Sequence, residues 1–239
     1  MAKFEKVNIL NYPIFFMTKE TKCPYLDNKS EKRLVTDLNN NPFLFDELSL
    51  SGFRRIENWM YRPSCSHCNE CKSYRVNINE FSLTKSLKRI KKNNEGISTF
   101  LKKNLASEEY YNLFSTYQHK RHTGSSMSNM TFEDFKSMIE SSPINTQLYE
   151  FRNKEKKLIG LMLFDYQKDG LSAVYSFYDV KFEKSGLGNF MILELIELAK
   201  KLTLDYVYLG YYIKNAPRMN YKLKFKEGEL YSDGKWTKT

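Results

Sequence analysis

No uninterrupted apolar run of about 18 residues occurs in this chain, the length a helix needs to cross a bilayer, so no membrane partner is expected. No secretory leader is expected either. Lys3 and Lys6 open the chain, but Asn8, Asn11 and Pro13 interrupt the apolar residues before Met17, and no h-region forms. The expectation is a soluble, cytoplasmic protein. No Gly/Ser-rich or Pro-rich linker, internal repeat or low-complexity tract beyond short Lys/Asn runs divides the 239 residues. Histidine is scarce, with three residues, which leaves few imidazoles to act as a dedicated base.

What is present is a core and a charge. Apolar residues make up 41% and aromatics 15%, enough to fill an interior without staples. Lys plus Arg number 38 against 28 Asp plus Glu, a formal charge of +10, which favours nucleic acid or an acidic substrate unless it reflects only the composition bias of a Lys- and Asn-rich chain. Of the four cysteines, Cys65, Cys68 and Cys71 have C-x-x-C-x-x-C spacing and Cys23 stands apart. In a reducing compartment this pattern suggests four thiolates for zinc or an iron–sulfur cluster before it suggests disulfides; the alternative is four reduced cysteines packed in a small module.

The pattern predicts an α/β (α+β) protein in two parts. Residues 1–97 carry every cysteine and the alternating Tyr74–Asn79 segment, and read as a small Cys-containing N-terminal module. The cation-dense stretch Lys85 to Asn94 reads as a solvated basic connector before a specific RNA contact. Residues 98–239 then show helical and extended periods in turn. Ser107 can cap a helix with Tyr110, Leu113, Phe114 and Tyr117 on its stripe, and Thr131-x-x-Asp134 resembles a capping box. Extended segments Lys157 to Tyr166 and Leu171 to Val180 flank an Asp169-Gly170 turn, Gly188 to Leu202 is amphipathic, and Asp205 to Ile213 alternates. This order predicts a long helix crossing from the hairpin's second strand to a parallel strand, as in N-acetyltransferase-like (GNAT) domains.

Several segments resemble one family. Cys23-Pro24-Tyr25-Leu26, Ser51-Gly52-Phe53-Arg54-Arg55, Tyr61-Arg62-Pro63-Ser64-Cys65-x-x-Cys68-x-x-Cys71, Tyr74-Arg75-Val76 and Phe81 are similar to the N-terminal region of the bacterial aspartate/glutamate leucyltransferases, relatives of the arginyl-tRNA–protein transferases. Arg121-His122, Val174 to Asp179, Tyr208 to Ile213, Met219-x-Tyr221-Lys222, Phe225 and Gly234-x-Trp236 resemble the rest in the right order. Val180 and Lys72-Ser73 depart from the family's usual residues.

The resemblance implies attack by a protein's α-amine on the ester of an aminoacyl-tRNA. Leucyl-tRNA is the expected donor, with arginyl-tRNA the alternative, and the acceptors are proteins beginning with Asp or Glu. The ester is already activated, so no ATP, CoA or other cofactor is required for transfer. Under this reading Asp179 and Tyr178 are the catalytic candidates: a carboxylate for the amine proton and a phenol for the oxyanion or the terminal adenosine. The substrate-binding candidates are Arg54, Arg55, Arg62, Arg75, Arg121, His122, Tyr208 and Lys222, cations and an aromatic suited to phosphate, carboxylate or adenine, with Tyr211 a further stacking candidate. Cys23, Cys65, Cys68 and Cys71 are the metal candidates. Gly186-Leu187-Gly188 opens a helix as in acetyl-CoA sites, but Glu183 stands where a phosphate-binding loop has Arg or Gln, so acetyl-CoA is disfavoured. A non-catalytic RNA-binding module is the reading from another class.

Overall fold

The structure, a computed structural model, describes residues 13–39, 41–122 and 124–239; most of the opening segment read above for a leader lies outside them. The chain begins with β1 (Phe16–Met17), β2 (Thr21–Lys22), β3 (Ser30–Glu31), β4 (Arg33–Asp37), α1 (Phe45–Leu50), β5 (Arg54–Ile56), β6 (Trp59–Pro63) and β7 (Lys72–Asn77). It continues with α2 (Lys85–Asn93), β8 (Ser98–Lys103), α3 (Glu108–Arg121), α4 (Phe132–Glu140), β9 (Thr146–Arg152), β10 (Leu158–Tyr166) and β11 (Gly170–Tyr178). Last come α5 (Leu187–Lys201), β12 (Tyr206–Tyr212), β13 (Gly228–Ser232) and β14 (Lys235–Lys238).

The strands form an eight-stranded mixed sheet in the order β14-β13-β7-β12-β11-β10-β9-β8, a four-stranded sheet β1-β4-β6-β5, and the β2–β3 ribbon. Within the large sheet β11 and β12 are parallel, joined across α5, while their neighbours pair antiparallel. The predicted crossover is present. One strand from the first part of the chain, β7, lies between β12 and β13, so the large sheet draws on both parts of the sequence.

Local chemistry sets the helix ends. The Ser107 hydroxyl accepts the Tyr110 N–H at 3.3 Å, and Thr131 and Asp134 form the complete capping box. Strand β10 is buried at every position except Tyr166, which suits a central strand covered on both faces. Phe177 meets Phe114 and Glu150 meets Tyr110, both on α3, whereas Phe151 meets Phe190 and Gly160 lies against Met191, both on α5. The two helices therefore cover opposite faces. A second, smaller core of Leu38, Phe45, Leu48, Phe53 and Met60 sits under the four-stranded sheet.

The basic stretch is not a connector. It is helix α2, capped by Thr84, with Leu87 and Ile90 buried and its lysines and Arg89 on the solvent side. Counting charge hid a one-stripe helix that packs on α5.

Candidate active site

Strands β11 and β12 pair only over Gly170–Tyr206, Leu171–Val207 and Ser172–Tyr208, and beyond these they part. The cause is local: the β12 register is irregular between Tyr208 and Gly210, and Gly210 takes a left-handed φ of 76°. Arg54 of β5 fills the opening. Its Nη2 donates to the carbonyls of Ala173 at 2.8 Å and Val174 at 3.2 Å, supplying donors where β12 has withdrawn. The guanidinium also lies on the backbone of Gly210, where a Cβ would stand 1.6 Å from Nη1. Only glycine admits this approach.

Lys222 joins Arg54 from the turn Pro217–Lys224. It is 2% exposed, and its Nζ donates to the Tyr211 carbonyl and lies 3.5 Å from Met219 Sδ. Burial, and then the charge of Arg54, hold its ammonium well below the usual lysine range. The Tyr211 hydroxyl lies 2.9 Å from the Tyr61 carbonyl and 3.1 Å from that of Gly52, which fixes the crevice wall. Tyr25 and Tyr221 are within the field of Arg54. Among the described residues neither Arg54 nor Lys222 has a carboxylate partner.

A second group adjoins the first at the end of α3. Arg121 pairs with Glu183 and stands 6.0 Å from the Tyr178 ring centre, and Tyr117 packs between Tyr178 and His122 at 5.2 and 5.4 Å. Burial, then Arg121 and Arg218, keep His122 below the ordinary imidazole range. Burial also pushes the Tyr178 phenol up, against the opposing Arg121 charge, so it remains protonated. Asp179 follows at the strand end, where its carboxylate accepts the Lys181 N–H at 3.1 Å. Both groups meet the same strand, Arg54 at the Ala173 and Val174 carbonyls and the second group at Tyr178, where β11 ends.

The chain matches the model "Arginine-tRNA-protein transferase, N terminus" over residues 21–89 and "Arginine-tRNA-protein transferase, C terminus" over residues 109–232. It belongs to the arginine-tRNA-protein transferase family. Three relatives carry the name aspartate/glutamate leucyltransferase. The protein of Granulibacter bethesdensis is 39% identical over 93% of this chain and 84% of its own. That of Ruegeria pomeroyi is 39% identical over 94% and 83%, and that of Paramagnetospirillum magneticum 38% over 93% and 92%. Among solved structures, L-PGS from Bacillus licheniformis aligns with TM-score 0.46 at 14% identity, over 73% of this chain and 50% of that one.

In this family member three of the expected cations are occupied within the framework. Arg55 is bound by Asp165 through two contacts of 2.7 Å, with Thr146 donating to the same carboxylate, and both charged side chains are buried. Arg75 bonds Glu229 at 2.7 Å and the Tyr208 hydroxyl at 3.0 Å, and lies 3.6 Å from the ring centre of Tyr206 and 4.3 Å from that of Trp236. Tyr208 in turn donates to Asp169 at 2.8 Å. Arg62 donates to the Ser51 carbonyl at 3.1 Å and covers Phe53. Arg54 and Arg55 are neighbours in one strand, so they point to opposite sides, one to an interior carboxylate and one to the crevice. That alternation is a signal the sequence carried. The tyrosines Tyr25, Tyr61, Tyr117 and Tyr221, and Arg218, went without assigned roles because only the fold brings them to the crevice.

Cys23, Cys65, Cys68 and Cys71 are free thiols around one cavity of about 30 Å³, shared with Tyr25, Tyr61 and Tyr211. Cys65 and Cys68 face each other across an antiparallel bridge. Burial, and then the other three thiols, push Cys71 up to about 12. Four thiols fit zinc or an iron–sulfur cluster in kind. Among the described residues, however, no three or more His, Cys, Asp or Glu side chains are arranged to hold a metal ion, so the sulfurs would have to turn inward and lose protons first.

Proposed function

We propose that this chain transfers leucine from leucyl-tRNA to the N-terminal α-amine of proteins that begin with Asp or Glu, and so marks them for degradation in the cytoplasm. The observation that carries the reading is the 38–39% identity, over 93–94% of the chain, to proteins named for that activity. The parallel β11–α5–β12 crossover with its parted strands supports a GNAT-like transfer domain behind a small Cys-containing N-terminal module.

The chemistry asks little of a base. An α-amine has an ordinary pKa of about 8, so part of it is neutral at cytoplasmic pH. The amine attacks the ester carbonyl, a C–N bond forms, and the tetrahedral oxyanion collapses with loss of the terminal adenosine's oxygen. One proton leaves the nitrogen and one reaches the departing oxygen. In this proposal Tyr178, kept protonated by burial, donates to the developing charge, and Asp179 receives the amine's proton. Arg121 and His122, with Arg218 beside them, face the tRNA end.

The four cysteines would hold zinc or an iron–sulfur cluster as a clamp on the N-terminal module, outside the transfer step. Elemental analysis with thiol titration tests this. Stoichiometric metal supports the clamp; four free thiols in a folded, metal-free sample end it.

Transfer is tested by incubating the protein with labelled leucyl- or arginyl-tRNA and peptides beginning Asp, Glu or Ala. Leucine transfer confined to acidic starts is expected. Arginine transfer would reassign the donor, RNA binding without transfer would reduce the chain to a binding module, and turnover of acetyl-CoA would overturn the reading.

A further inference from the structure

An enzyme that accepts only acidic starts needs a fixed cation free to meet a carboxylate. The structure narrows the choice. Arg33, Arg55, Arg75, Arg121 and Arg152 are each paired with Asp or Glu already. Arg54 and Lys222 are not, yet both are set into the protein where desolvation makes a charge contact stronger than at the surface.

Arg54 has five N–H donors, of which Nη2 serves the Ala173 and Val174 carbonyls; among the described residues Nε and Nη1 meet no acceptor. Those two carbonyls hold the guanidinium in one orientation. Lys222 is held as well, by the Tyr211 carbonyl. With no anion beside them among the described residues, burial and the charge of Arg54 disfavour the protonated form of Lys222, and an incoming carboxylate favours that form while satisfying the idle donors. The placement suits an acceptor's first residue: the pair lies where β11 and β12 part, with Arg54 on the Ala173 and Val174 carbonyls of the strand that ends at Tyr178.

We propose that Arg54 and Lys222 together form the seat for the acidic side chain of the acceptor's first residue. The proposal deepens the transferase reading and rests on it for the identity of the acceptor. An amide in place of the carboxylate brings no charge to offset half-buried Arg54 and buried Lys222, so Asn and Gln starts are rejected although their size fits.

The test separates the seat from the transferase reading by measuring binding without tRNA. Otherwise identical peptides beginning Asp, Glu, Asn and Gln are titrated into the wild-type chain and into Arg54→Gln, Arg54→Lys and Lys222→Met, each checked for folding by thermal unfolding. The wild type should prefer acidic over amide starts by about 10- to 100-fold, the scale of a charge-assisted contact. Arg54→Gln and Lys222→Met should each lose most of that preference, and Arg54→Lys should keep part of it. A folded variant that retains the full preference, or loses affinity for all four peptides alike, overturns the seat. So does a wild type that binds acidic and amide starts equally. Leucine transfer by the wild type is scored in a separate reaction, and its failure would count against the transferase reading instead.

Discussion

The guanidinium of Arg54 rests on Gly210 so closely that a methyl at Gly210 would lie 1.6 Å from Nη1 and 2.2 Å from Cζ. Gly210→Ala must therefore expel Arg54 from between β11 and β12 and also accept a φ of 76°, which alone costs about 1–2 kcal/mol for a residue with a Cβ. The expected result is a lower unfolding midpoint together with loss of the preference for acidic acceptors. Calorimetry and the peptide titration measure the two effects.

Arg55 and Asp165 form a closed pair, with side chains 1% and 0% exposed. Asp165→Asn leaves the Arg55 charge buried without its partner, a loss of about 3–5 kcal/mol. Denaturant unfolding should show that loss, and the molecules that remain folded should keep their preference among acceptors. A stable variant with altered acceptor choice would return Arg55 to the substrate side.

Arg75 of β7 ties the C-terminal hairpin to the rest of the large sheet, since Glu229 lies on β13 and Trp236 on β14. Arg75→Met strands Glu229 and removes the cation from between two rings; about 3 kcal/mol is expected. The loss should appear first as faster hydrogen exchange at the β13 and β14 amides, ahead of global unfolding.

These three arginines show where the sequence was readable. The Ser107 cap, the Thr131–Asp134 box and the Asp169-Gly170 turn depend on residues within a few positions, and the sequence located them all. The parallel crossover was legible too, because α5 has a clear stripe between two extended runs. The partner of Arg55 lies 110 positions away and that of Arg75 lies 154 away, and no local pattern announces either. The same holds for the pairing of β13 with β7, which sequence order does not name, whereas β8–β9, β9–β10 and β13–β14 join strands consecutive in the chain. Lysine density concealed α2 for a different reason, since its buried stripe is only Leu87 and Ile90.

Arg152 joins α3 to β9 by bonding Glu109 at 2.7 and 2.9 Å and Glu150 at 2.9 and 3.1 Å, and Tyr110 donates to Glu150 at 2.6 Å. Burial alone would push Glu150 up, but the Arg152 and Tyr110 bonds outweigh it and bring the carboxyl below its usual range; the Arg152 bond does the same for Glu109 against its own desolvation. A depressed carboxylate stabilises the fold above its unfolded pKa, and that contribution is lost as pH falls through the folded value. Thermal midpoints of the wild type and Glu150→Gln should therefore differ most above about pH 5 and converge toward about pH 3. A constant difference over that range would mean that Glu150 does not titrate in the interval.

Among the described residues the Asp179 carboxylate accepts one hydrogen bond, from the Lys181 N–H, and its role divides on how much of the side chain that bond explains. If the carboxylate only caps the turn Val180–Phe182, Asp179→Asn keeps an oxygen acceptor and changes stability little, with transfer unaffected. If it also takes the amine's proton, the same substitution keeps the cap but removes the base, and transfer slows by about tenfold or more, the scale of a positioned acid–base group. Raising the pH discriminates further, because a neutral amine needs less help: the deficit of Asp179→Asn should shrink as pH rises above about 8, the ordinary α-amine value. A deficit that stays constant across this range would assign Asp179 to positioning of the strand end beside Tyr178 and leave the amine to lose its proton to water.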